Sequence, residues 1–432
     1  MSPFLFGTAR SVITPPVGLE LCGYGPYLKR RGTEVRQHLH STALVLSDGQ
    51  NTYALISNDL IWLDGTLVDA IHEEIRRRCG LDPARVILTN THTHSGPATM
   101  RTVAWGEPDM AYWKTLPRLM VEAVQQALQD MQPGRIGFGR VELPELSVNR
   151  VETDGPVDRE ALLIRIDDAH GHMRAACINF GAHPVTLGTS TLICGDYPAD
   201  GIAKMEDALK DKAKILFLQG NCGNLNCRGF GAGVDMLDAN GTLLRNRVLP
   251  ALEKIPTSDA GPLAGDTVEM PLPMQIPDRT GLEHELEDFE HRITVYEGDR
   301  ETREYRQMCF ERDWRKDRLA LLDGPHPQRL EFRVSYLRIG DAVLIAHPLE
   351  LFVEYSDAIK TASPFPHTFI AGYANEAVGY LARPQDFSLE GFGHYAAVYA
   401  PRICRHLEFQ PEAGEVFRDH IVALLHRIKE KG

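Results

Sequence analysis

Positive charge is in short supply in this chain: 46 Lys and Arg stand against 59 Asp and Glu, a formal net charge of −13. That excludes the basic footprint with which proteins hold a nucleic-acid backbone. Long apolar runs are missing as well, and none approaches the roughly 18 residues that a membrane span needs. The eight cysteines (Cys22, Cys79, Cys177, Cys194, Cys222, Cys227, Cys309 and Cys404) follow no disulfide-frame spacing. They read as buried thiols of a reducing compartment. The opening MSPFLFGTARSVITPP lacks the basic-then-apolar order of a secretory leader, so a cytoplasmic location is the expectation. There is no G-x-S-x-G elbow, no phosphate-binding loop and no dinucleotide fingerprint.

What is present is ordinary globular material: 432 residues, 43% hydrophobic and 24% charged. That is enough apolar surface to offset chain entropy and bury a large core. The 37 glycines and 27 prolines are spread along the chain, and no linker marks a boundary, so one domain over residues 1–432 is expected. Residues 281–322 are charge-dense with helical spacing and predict an amphipathic helix pair set on the main body.

Three stretches share one order: strand, tight turn, strand, helix, strand, polar loop. In the first, TALVLS turns at Ser47-Asp48-Gly49 into TYALIS, a helix runs from about Gly65 to Arg78, and RVILTN enters THTHSG. In the second, ALLIRI turns into RAACINF, a helix follows near Asp200 to Leu209, and ILFLQG enters NCGNLN. In the third, FRVSYLRI turns at Gly340-Asp341 into AVLIA, a helix follows near Leu349 to Lys360, and TFIAGY enters NEAVGY. β-Branched runs between turn residues and apolar residues at helical spacing support each element. The expected fold class is α/β, with mixed β-sheets covered by helices and built from repeated strand–strand–helix–strand units. Sites in such folds gather at the carboxyl ends of strands.

The ligand-capable residues fall at those ends. In THTHSGP, His92 and His94 stand at i and i+2, and on an extended segment their rings would point the same way. Neutral imidazole is the commonest protein ligand of zinc. Two other His-x-His pairs show that the pattern alone is weak: His38 and His40 at a strand start, and His170 and His172 in a solvated turn. The setting of His92 and His94 after an apolar strand, among small residues, distinguishes them. GAHPVTLG puts His183 after a strand. HPLELF offers His347 and Glu350 at i and i+3 on a shared helix face, with a bare helix start at Pro348 as the alternative and Glu354 one turn on. GYANEAVGY holds Asn375, Glu376 and Tyr380. QGNCGNLNC is a Gly- and Asn-rich loop in which backbone amides can approach a ligand, with Cys222 and Cys227 read as buried thiols. GDYPAD reads as a helix start capped by Asp196.

Taken in order, GTARSVITPPVGLELCGYG, THTHSGP, VNR at Val148–Arg150, GAHPV, GDYPAD, QGNCGN and GYANEAVGY resemble the catalytic domain of the neutral/alkaline (non-lysosomal) ceramidase family, from about Gly7 to Pro401. The resemblance implies an amidase with one Zn2+ per chain that hydrolyses an N-acyl bond. It implies His92, His183, Glu350 and Tyr380 as metal ligands, His94 beside the metal and Arg150 facing the substrate. Three departures stand out. Where the family has a serine after G-D-V, this chain reads Gly223-Asn224-Leu225-Asn226, and asparagine is no nucleophile. Ala98-Thr99 replaces a glycine pair. The immunoglobulin-like domain that follows in ceramidases is expected to be absent. The expectation is therefore hydrolysis by metal-activated water without an acyl-enzyme, with His94 moving protons and Asn224 and Asn226 adding hydrogen bonds to a small or amphipathic acyl substrate other than extracellular ceramide. The alternatives are an esterase, lactonase or deacetylase acting on a polar, sugar-like substrate, and a non-catalytic metal-binding protein. Imidazole, carboxylate and phenol would also suit iron or manganese.

Overall fold

A computed structural model describes residues 4–324, 328–388 and 390–431. Two sheets lie face to face, and each is covered by helices on its outer side. The larger sheet has eight strands in the order Lys214–Gln219, Met173–Phe180, Glu160–Asp168, Gln132–Glu142, Leu5–Val12, His40–Ser47, Thr52–Asn58, Val86–Asn90. Its outermost pairs are parallel and the rest antiparallel. The second sheet runs Leu263–Pro273, Arg329–Ile339, Ala342–Ala346, His367–Ala371, with only the last pair parallel.

Side chains alternate along each strand, so every strand serves two cores. On Thr52–Asn58, Tyr53 and Leu55 face the other sheet, where they join Leu337, Leu344 and Phe369. Ala54 and Ile56 face outward and pack with Leu67, Ile71 and Val121 of the helices Gly65–Cys79 and Leu116–Gln129. Helices Asp196–Ala208 and Val234–Lys254 cover the other half of that face. Helices Val353–Ala362 and Ala413–Glu430 cover the small sheet. The three strand–strand–helix–strand units are all present, each with its last strand parallel to its second.

Three local expectations are corrected. The third helix begins at Val353, because Leu349–Leu351 is instead a short strand paired in parallel with Gly379–Leu381. Glu350 therefore lies on a strand and shares no helix face with His347. The second helix begins at Asp196, with Gly195 in the cap position. Asp196 takes φ +56 and, fully buried, accepts the N–H groups of Leu187 and Tyr197. The charge-dense segment does form two helices, Arg279–Thr294 and Arg303–Asp323, but the second is more than a solvated face. It buries Phe310, Trp314 and a network in which Arg315 and Arg402 meet Glu311, and Arg318 meets Glu408. His170 and His172 occupy an exposed turn, as expected, and all eight cysteines are free. Among the described residues no helix is long and apolar enough to cross a membrane.

Candidate metal centre

The site lies where loops from all three units meet. After the strand Val86–Asn90 the chain turns sharply, with His92 at φ +65. The expectation that His92 and His94 converge by strand alternation is thus corrected: backbone strain, of the kind that accumulates at functional positions, brings the rings together. His183 follows the strand Met173–Phe180 and bridges in parallel to Asn226, and Glu350 pairs in parallel with Tyr380. In the second and third units alike, a residue after the second strand faces one after the third.

The side chains converge tightly. Nε2 of His92 lies 3.1 Å from Nε2 of His183 and 3.2 Å from Nε2 of His94. Oε2 of Glu350 is 3.2 Å from the His183 nitrogen and 3.5 Å from that of His92. His183 is 0% exposed and Glu350 3%. Burial drives the pKa of His92 down to about 3, and burial also carries those of His94 and His183 well below the usual value. All three rings are therefore neutral at ordinary pH.

Their outer nitrogens differ. Nδ1 of His92 donates to the carbonyl of Ile61 at 2.8 Å, and Nδ1 of His183 to that of Cys222 at 2.7 Å. A ring nitrogen facing a carbonyl carries the hydrogen, so both Nε2 atoms present bare lone pairs. Two lone pairs 3.1 Å apart with a buried carboxylate beside them converge as acceptors on one point, a demand that Arg150 Nη2, 3.2 Å from His183, meets only in part. Two nitrogens held tetrahedrally at zinc bond lengths of about 2.0–2.1 Å stand about 3.3 Å apart, so the donor set fits such an ion. Ligating histidines usually donate their other N–H in this manner. Among the described residues, Nδ1 of His94 is buried without a partner, while its Nε2 faces the bare Nε2 of His92 at 3.2 Å.

Arg150 closes the near side. Its Nη2 donates to the carbonyl of Gly223 at 2.8 Å and to the Tyr380 hydroxyl at 3.0 Å, and lies 3.2 Å from Nε2 of His183. Its Nη1 donates to Oδ1 of Asn226 at 3.1 Å, and the ring of Phe392 covers the guanidinium at 3.8 Å. Asn224 is not part of this group. Its Oδ1 accepts the N–H of Val353 and its Nδ2 donates to Glu354, so the side chain anchors the loop to the helix Val353–Ala362. Glu354 is also held by Arg383. His347 turns away into the core against Phe417.

Sequence reasoning missed Tyr373. Its ring lies 4.0 Å from that of His92, and its hydroxyl reaches Glu350 at 3.4 Å and the Cys222 sulfur at 3.0 Å. It shares GYANEAVGY with Tyr380, and the motif's second tyrosine drew the attention. Burial raises both phenols well above their ordinary value and the Cys222 thiol to about 12.

A sequence profile described as neutral/alkaline non-lysosomal ceramidase, N-terminal, matches residues 4–236. Neutral ceramidase A of Dictyostelium discoideum is 28% identical over 220 residues, covering 45% of this chain and 30% of that protein. The neutral ceramidase of Pseudomonas aeruginosa is 24% identical over 251 residues, or 52% of this chain and 37% of that protein. The chain thus matches about a third of the length of these curated relatives. The crystal structure of the Pseudomonas aeruginosa enzyme superposes with a TM-score of 0.77 at 18% identity, covering 100% of this chain and 75% of that one, a likeness of fold. With more than half its residues matched by the family profile, and with that fold, the chain belongs to the neutral/alkaline non-lysosomal ceramidase family.

Proposed function

We propose that this protein hydrolyses an N-acyl bond with the help of one divalent metal ion, zinc by preference, held by His92, His183, Glu350 and Tyr380. The facing lone pairs of His92 and His183 beside the buried Glu350 carboxylate carry the reading. A metal bound there supplies Lewis acidity toward the carbonyl oxygen and a water whose pKa lies near 7.

The remaining steps belong to this chain's own groups. Water is the attacking group, because the residues around the site offer no competent nucleophile. Asn226 stands where the family has serine, the Cys222 thiol is pushed up to about 12, and burial raises the Tyr373 phenol well above its ordinary value. His94, neutral, accepts a proton from the attacking water at Nε2, the ring nitrogen that faces His92 at 3.2 Å, and returns it to the leaving nitrogen. Arg150 can only donate, so the Asn226 amide must turn Oδ1 toward it. The Asn226 Nδ2 is thereby oriented as a donor for the oxyanion that develops from the substrate carbonyl. Asn224 leaves the list of substrate contacts. The family points to acyl amides as the substrate class, and eight free thiols accord with a cytoplasmic setting.

Elemental analysis combined with turnover of an acyl-amide and acyl-ester panel tests the proposal. One equivalent of metal and amide hydrolysis that vanishes with chelation support it. Amide turnover by metal-free protein, or stoichiometric metal without turnover of any amide, overturns it.

A further inference from the structure

Among the described residues, Arg30 is a buried cation with no acidic partner. It is 7% exposed, and its three hydrogen bonds all end on backbone carbonyls: Ser190 at 2.6 Å, and Cys22 and His94 at 2.7 Å each. Its Nε has no partner at all. The groups that most favour its charge are Tyr24 and Cys22, and burial lowers its pKa. Burying an unpaired guanidinium is costly, and such groups persist where something depends on them. Here the dependent element is the seat of His94. The guanidinium lies 4.8 Å from the centre of the Tyr24 ring, Tyr24 stands edge-on to the His94 ring at 5.1 Å, and the same guanidinium grips the His94 carbonyl. His92 and His183 are aimed by hydrogen bonds at Nδ1; His94 has none.

We propose that Arg30 is the positioning residue for His94, aiming its imidazole through the His94 carbonyl and the Tyr24 ring. This rests on the reading of His94 as the proton carrier. The alternative is a plain staple between the loops at Cys22, His94 and Ser190.

The test compares Arg30→Met, Arg30→Lys and His94→Gln with the full-length parent. Its readouts are metal content, kcat and KM on an acyl amide, and the imidazole 15N signals of metal-free protein, with His94 assigned from its own variant. For Arg30→Met we expect unchanged metal content and KM, a fall in kcat of about 10²-fold, the cost of a misplaced catalytic group, and a shift of the His94 signals while those of His92 and His183 stay. Added guanidinium should recover part of the rate, and Arg30→Lys should fall between the two. If kcat holds in both Arg30 variants while His94→Gln is inactive, the inference fails alone. It also fails if the signals of all three rings move together with metal loss. If His94→Gln keeps full activity, the proton-carrier reading fails and this inference goes with it.

Discussion

Metal removal offers the sharpest test, because the donors of the site converge so closely. Two bare imidazole nitrogens face each other at 3.1 Å and a buried carboxylate lies 3.2 Å from one of them. Loading an ion satisfies these lone pairs in the folded state alone, so binding free energy becomes folding free energy. At about 2.1 cal/mol/K of unfolding entropy per residue, a 432-residue chain melting as one unit carries about 0.9 kcal/mol/K. A metal at a thousand times its Kd contributes about 4.1 kcal/mol, so Tm should rise by about 4–5 °C. The assay is calorimetry of chelator-stripped protein titrated with zinc. His92→Ala and His183→Ala should each abolish the rise. Because the readout is the difference between loaded and stripped forms of one variant, the cavity left by each truncation cancels. A wild type that binds metal without any rise, or an equal rise in both variants, would refute the reasoning.

Gly23→Ala should disturb His94 and spare the metal. A methyl group there would stand 2.4 Å from Nδ1 of His94 on a backbone at φ +104, so activity should fall by tenfold or more with metal content intact, at a stability cost of about 1–3 kcal/mol; loss of metal would count against it. Asn226→Ala removes the oriented amide and should lower kcat by about 10²–10³-fold, while intact-mass spectra of wild type during turnover show no acyl adduct. His347, fully buried and lowered to about 3 by burial alone, should make the fold acid-sensitive. The unfolded chain takes up this proton near pH 6.5 and the folded chain only near 3, so its contribution is complete above 6.5 and is lost as pH falls, by up to about 1.4 kcal/mol per unit. Urea unfolding of His347→Leu at pH 7.5 and pH 5 should show a smaller pH effect than wild type, and equal effects would rule this out.

Glu350 shows where reading the chain residue by residue stops. The local pattern HPLELF permits a helix, and a helix would have paired Glu350 with His347. In the folded protein Leu349 and Leu351 instead find Gly379 and Leu381, which leaves Glu350 opposite Tyr380. His347 goes into the core with Nδ1 accepting the N–H of Leu349. His92 teaches the same lesson: its ring meets that of His94 through a left-handed backbone turn that no alternation pattern encodes. Asn224 and Asn226, alike in the sequence, separate completely. One is tied to the start of a helix and the other to Arg150.

Local order was legible throughout. Apolar periodicities of two and of 3.6, punctuated by Gly, Asp and Pro, marked out three strand–strand–helix–strand units. The ordered motifs named the family and nominated His92, His183, Glu350 and Tyr380, which the fold brings together. These features depend on neighbours a few positions apart, so they are written along the chain. The stacking of the two sheets, the turn that aims His92, the grip of Arg30 on His94 and the removal of Asn224 from the site all depend on partners distant in the chain. Pairing energy of that kind arises only once the core has closed and set which backbone lies beside which, and no local pattern anticipates it.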